Sequence, residues 1–147
     1  MHTTLNQIKQ HNPCSEGWEK LLKYLNKTEA DDDPLHLSVI LESNGINDAI
    51  WALRSVDGKE KEIRLMAADF AETSLPIYEK YHPDDQRPRL TIKAARDYVN
   101  GLITKNDLAA ASAAARDAAW AAARDAARDA AREKITEIFK KYITQWN

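Results

Sequence analysis

Residues 105–145 contain neither glycine nor proline, and their middle is an alanine tract in which Ala-Ala-Arg-Asp recurs around Arg116, Arg124 and Arg128. Alanine and arginine are among the strongest helix formers, and nothing in this stretch stops a helix. Thr104 stands as a cap, with Asp107 three residues on as the acid of a capping box. Taken as one helix, the segment measures about 60 Å at 1.5 Å per residue. A compact domain of this length spans only about 35–40 Å. The sequence therefore predicts a long last helix that bends or projects, and a projecting end meets a second copy or a partner. Along the tract, Ala115, Ala119, Ala123, Ala126 and Ala130 share one face with Trp120 at its edge. Ile135, Ile138, Phe139, Tyr142 and Trp146 lie on a face rotated away from it.

The rest of the chain reads as shorter helices. A start is expected at Asn12-Pro13, followed by Trp18, Leu21, Leu22 and Leu25 at helical spacing. Residues 3–10 can add a short helix before it. Residues 26–33 read as a polar loop, Pro34 as a helix start and Asn44-Gly45 as its end. A third helix, capped by Asn47 or Asp48, carries Ile50, Trp51 and Leu53 and stops at Asp57-Gly58. The fourth covers about residues 59–81, with Pro76 expected to kink or break it. Pro88 opens a fifth, closed by Asn100-Gly101. The predicted fold is all-α: about six helices in one bundle-like domain over residues 1–147, with a long alanine-rich C-terminal helix. Within it, residues 1–56 and 57–147 are two segments of that one domain.

Composition narrows the function. A formal charge of −2 argues against a general nucleic-acid binder, which needs cations to neutralise phosphates. Cys14 is the single cysteine, so no intramolecular disulfide forms, as suits a reducing cytoplasm. Residues 1–10 lack the basic start and apolar run of a signal peptide, and no uncharged apolar run is long enough to span a membrane, so neither a signal peptide nor a membrane span is expected. His11 and Cys14 lack the further ligands that a metal site needs. Glycine-rich phosphate loops and the common hydrolase motifs are absent. The chain is accordingly expected to need no cofactor and no metal and to have no catalytic residue.

Four features suit contact with another protein instead. Asp31, Asp32 and Asp33 form an acidic cluster without the spacing of a calcium loop. His82, Asp84, Asp85, Arg87 and Arg89 form a dense mixed segment, read either as a contact surface or as a turn with local salt bridges. Trp18 and Trp51 are expected in the core. Trp120 and Trp146 are the interface candidates, because tryptophan anchors binding hot spots.

The segments HPDDQRPR at residues 82–89 and AARDYVNG at 94–101, followed by the alanine–arginine–aspartate tract, carry a resemblance. Residues 65–134 resemble a family of small helical bacterial and phage-borne proteins described as immunity proteins. NPCSEGWEKLL, KTEADDDPL and SVILESNGINDAIWALR, within residues 12–54, resemble the segment that often precedes it. Thr73-Ser74 stand where relatives carry a basic–aliphatic pair. The resemblance implies a cytoplasmic, non-catalytic inhibitor that binds a toxin protein stoichiometrically. Three other readings stay open. One is a phage-derived inhibitor of a bacterial defence nuclease, requiring one acidic face from Asp31 to Asp85. Another is a small-molecule-binding or enzyme-like domain around His82 and Asp84. The third is a homodimer or scaffold built on the C-terminal helix.

Overall fold

The computed structural model describes the backbone of residues 1–122 and 128–145, and their side chains except at positions 81, 114–131 and 133. Among the described residues there are eight α-helices, one 3-10 turn and a two-stranded sheet. The helical class holds. The helix number exceeds the expected six, because residues 5–10 do form a helix and the last segment is described in two parts. Whether it is one continuous helix lies outside the described residues. The chain divides into two compact units, Met1–Glu60 with Phe139–Asn147, and Lys61–Ile138.

In the first unit, β1 (His2–Thr3) pairs antiparallel with β2 (Leu35–His36), in the register His2 to His36 and Thr3 to Leu35. This corrects the helix start expected at Pro34. Long-range pairing takes Leu35 and His36 into a strand, and α3 (Leu37–Asn44) begins only after His36. The His36 ring nitrogen Nδ1 accepts from the Ser38 N–H and so caps α3. Helix α1 (Leu5–Gln10) is capped by Thr4, whose hydroxyl accepts from Gln7 N. It buries Leu5 and Ile8.

Helix α2 (Ser15–Tyr24) starts later than Asn12-Pro13 suggests. Asn12 is left-handed, at φ 53°, which is outside the helical region. Cys14 is the cap, its sulfur accepting from Gly17 N at 3.4 Å. The cysteine is exposed, and its sulfur serves as a helix cap. Asn26, at φ 52°, ends α2. There Asn26 N donates to Lys23 O and Lys27 N to Leu22 O, which is the paired bonding of a Schellman motif. Gly45, at φ 92°, ends α3 and leads straight into α4 (Ile46–Ala52) and the 3-10 turn Leu53–Ser55. Helix α4 thus starts before Asn47, with no side-chain cap.

Polar groups are buried in this unit, and each has a partner. Met1 is 1% exposed and its amino group donates to the carbonyl of Ile143 at 3.1 Å. His36 Nε2 lies 3.0 Å from the same oxygen. Thr3 Oγ1 sits 2.8 Å from Ser55 O and 2.9 Å from Ser55 Oγ, and Ser55 Oγ donates to Ala52 O. Burying a hydroxyl without such partners costs about 1–3 kcal/mol. Leu37, Phe139 and Ile143 are fully buried apolar members of the unit.

The second unit is built from longer helices. Helix α5 (Glu60–Tyr81) enters it at Lys61 and continues through Pro76, so of the expected kink or break the break does not occur. A proline removes one bond, here to the carbonyl of Glu72, and both residues lie on the exposed face. Helix α6 (Arg87–Val99) ends as predicted. Gly101, at φ 73°, donates to Tyr98 O, and Leu102 N donates to Asp97 O, a second Schellman motif. Helix α7 (Lys105–Ala122) opens with the predicted capping box. Asp107 N donates to Thr104 Oγ1, and Thr104 N donates to Asp107 Oδ2 at 2.9 Å. Ala68, Leu75 and Ile92 cluster in the core with Ala95 against them. Helices α6 and α7 pack together, and Thr91 Oγ1 donates to Ala111 O across them. Helix α8 (Arg128–Gln145) contributes to this unit as far as Ile138 and to the first unit from Phe139. No described helix is long and apolar enough to cross a membrane.

Candidate functional site

The mixed segment at residues 82–89 forms the corner between α5 and α6. Asp85 is its hub. Arg87 grips the carboxylate with two parallel bonds, Nε to Oδ1 at 2.8 Å and Nη2 to Oδ2 at 2.7 Å, and its backbone N–H adds a third. From the last turns of α5, the Tyr78 hydroxyl donates to Oδ2 at 2.5 Å. Arg87, and after it Tyr78, hold the Asp85 carboxyl far below the ordinary carboxylate range. Asp85 in turn raises both the Arg87 guanidinium and the Tyr78 hydroxyl. The His82 ring rests on the ring of Tyr78, with centroids 4.8 Å apart. His82, Asp84, Arg87 and Arg89 are all exposed.

Two further clips tie α5 to α6. Arg89 makes a second bidentate pair, with Glu79, at 2.9 Å for both bonds. Arg96 reaches Asp69 at 2.8 Å and Glu72 at 2.6 Å. Glu72, then Asp69, raise the Arg96 guanidinium above its usual value. Tyr78, Glu79, Asp69, Glu72 and Arg96 were not singled out by the sequence reading. The available signal was the helical spacing of Asp69 and Glu72, three apart on the helix paired with α6.

The acidic cluster lies in the first unit and is partly neutralised there. Lys27 pairs with both Asp31 and Asp33, the latter at 2.7 Å. Lys27 holds the Asp31 carboxyl below its ordinary value. Asn6 N donates to the Asp31 carbonyl at 3.0 Å and so ties the loop to the start of α1. Asp32 is exposed. The structure thus keeps Asp31, Asp32 and Asp33 in one unit and the residues from His82 to Arg89 in the other. The side chains of Trp120 and Trp146 lie outside the described residues.

A cleft of about 170 Å³ opens among α1 to α4, with Cys14, Trp18, Ile40, Asn44, Asp48 and Trp51 in its walls. Trp18 and Trp51 are half-buried around this space, where the sequence reading put them in the core. Gly17 stands beside it because α2 comes close to the α3–α4 turn. A Cβ at that position would lie 2.7 Å from Asp48 Oδ2. Among the described residues, no group of three or more His, Cys, Asp or Glu side chains is placed to hold a metal ion.

A helical unit whose charged corner is locked by its own ion pairs is a scaffold with fixed surface groups. The family model described as Imm-5 like putative immunity protein matches residues 56–135, more than half of the chain, and the protein belongs to that family. The match takes in α5, α6, α7 and the charged corner, while the cleft lies ahead of it. No curated protein and no solved structure matches the chain.

Proposed function

We propose that this protein binds a partner protein in the bacterial cytoplasm and neutralises it without catalysis, the partner being a toxin. Membership of the immunity family supports the partner class. The observation that carries the reading is the corner between α5 and α6. Exposed ion pairs contribute little to stability, about 0–1 kcal/mol each. Here the exposed Arg87 and Arg89 guanidinium groups are nonetheless fixed bidentately against Asp85 and Glu79. Groups held in place before binding lose less side-chain entropy when a partner arrives, and complementary charge speeds encounter. His82 and Asp84 stand exposed on the same corner. In this reading Asp31, Asp32 and Asp33, with Trp120 and Trp146, are secondary contacts.

The test starts with the tagged protein as bait in host lysate and mass spectrometry as the readout. Any partner recovered is then purified, titrated calorimetrically and co-expressed in growing cells. The expected result is one-to-one binding that rescues growth and weakens at least tenfold with Asp84→Lys plus Arg89→Glu. Recovery of nothing but the protein's own oligomer overturns the reading, and so does a partner whose activity is unaffected.

A further inference from the structure

The cleft of the first unit is not explained by the charged corner or by the family-matched segment. Its volume of about 170 Å³ sets the scale of an occupant. An apolar cavity of about 150 Å³ takes up a single benzene ring, so this space suits one side chain. Two indoles, Trp18 and Trp51, and the buried Leu21 and Ile40 make most of the wall apolar. Asp48 is the single carboxylate among the wall residues, and no wall residue is basic. Asn44 Nδ2 fixes that carboxylate through Oδ2 at 2.8 Å while also donating to Gly17 O at 2.7 Å. The bond leaves Oδ1 for another donor. Trp51 already attracts a cation within its own chain, since the guanidinium carbon of Arg54 lies 4.4 Å from its ring centroid.

Indole faces beside a fixed carboxylate favour a guest with an apolar stem and a positive head. We infer that the cleft receives one lysine or arginine side chain presented by a partner protein, its methylenes against Trp18 and Trp51 and its charge on Asp48. That the occupant is a protein rests on the binding reading above. The place and chemistry of the site do not, and they can be tested with fragments alone.

The probes are n-butylammonium, n-butylguanidinium, n-butanol and tetramethylammonium, titrated into the full chain. The readout is the set of tryptophan indole NMR signals, assigned with Trp18→Phe and Trp51→Phe. Both butyl cations are expected to shift the Trp18 and Trp51 signals saturably, at least tenfold more tightly than butanol. Asp48→Asn removes that preference. Alkylating Cys14 with N-ethylmaleimide in the unmutated chain blocks the response while the circular dichroism of the helices stays unchanged, so the result does not depend on a variant folding. Equal binding of butanol, or no shift with any probe, overturns the proposal. Tighter binding of tetramethylammonium assigns the cleft to a free quaternary ammonium and overturns it as well. Self-association that Asp48→Asn abolishes would replace the partner protein with a second copy. A chain that binds the butyl cations but neutralises no partner leaves the site standing and removes only the toxin reading.

Discussion

The two units of this chain are held together by different chemistry. In the first, a few neutral polar groups are sealed inside: Thr3 and Ser55 are each 2% exposed and satisfy one another. In the second, the clips between α5 and α6 are charged and lie at the surface, as with Arg89–Glu79 and Arg96–Glu72. A hydrogen bond counts toward stability mainly through what its loss leaves unpaired in the dry interior. Water replaces a lost surface bond at little cost. Stability should therefore be concentrated in a few positions of the first unit and spread thinly over the clips of the second, whose work is to fix geometry.

The largest expected effect is at Phe139, which is fully buried in the first unit. Phe139→Ala should cost about 3–5 kcal/mol in a urea titration. A cost below about 1 kcal/mol would mean that the end of α8 does not hold this unit. The next pair tests the contrast directly. Thr3→Val keeps shape but removes the donor to Ser55, and should cost about 1–3 kcal/mol. Arg89→Ala deletes two bonds of similar length and should cost under about 1 kcal/mol. Equal losses would erase the distinction.

A smaller effect follows from pH. Burial, then Lys59, lowers the Met1 amino group below its ordinary value; burial, His36 and the amino group lower His2. The folded state thus binds fewer protons than the unfolded chain at these groups, so their contribution to stability falls as pH falls. The loss should begin below about pH 8 for the amino group and below about 6.5 for His2. Asp85 and Asp107 are depressed carboxyls, so their stabilisation persists until pH falls into the usual carboxyl range near 4. Hydrogen exchange at pH 8 and pH 5.5 should therefore show weakening in the first unit, reduced by His2→Gln, and little change around the charged corner. The smallest effect on stability is at Gly17. Alanine gains about 1 kcal/mol of helix propensity there. It also pushes Asp48 away from Asn44, at a similar cost. The melting temperature should stay nearly constant while the Trp18 and Trp51 indole signals move.

The same contrast explains what could be read from the sequence. The ends of α6 and α7 were legible because their signals are local: Gly101 supplies a left-handed cap, and Thr104 and Asp107 cap each other across three residues. The strand at Leu35–His36 was not, because its partner, His2–Thr3, lies more than 30 residues away and nothing near Pro34 announces it. At the corner, the Asp85–Arg87 pair is local and matched the turn expected there. Tyr78, Glu79 and the Arg96 clips depend on how α5 and α6 lie along each other, which spacing alone does not give. The cleft was hidden for a related reason. Trp18 and Trp51 sit on apolar helical faces, and only the close approach of four short helices leaves a space between them.

The first unit is discontinuous in the chain, since it draws on residues up to Glu60 and again from Phe139. On a ribosome this has a temporal consequence. The leading 60 residues emerge long before Phe139 and Ile143 exist, and closing a loop of that length carries an entropic cost that local contacts do not. The second unit is one uninterrupted segment and can close while synthesis continues. The nascent chain would then carry a finished charged corner while the first unit still lacks the buried Phe139 and Ile143. Whatever binds the corner can do so before the first unit has received its last buried side chains.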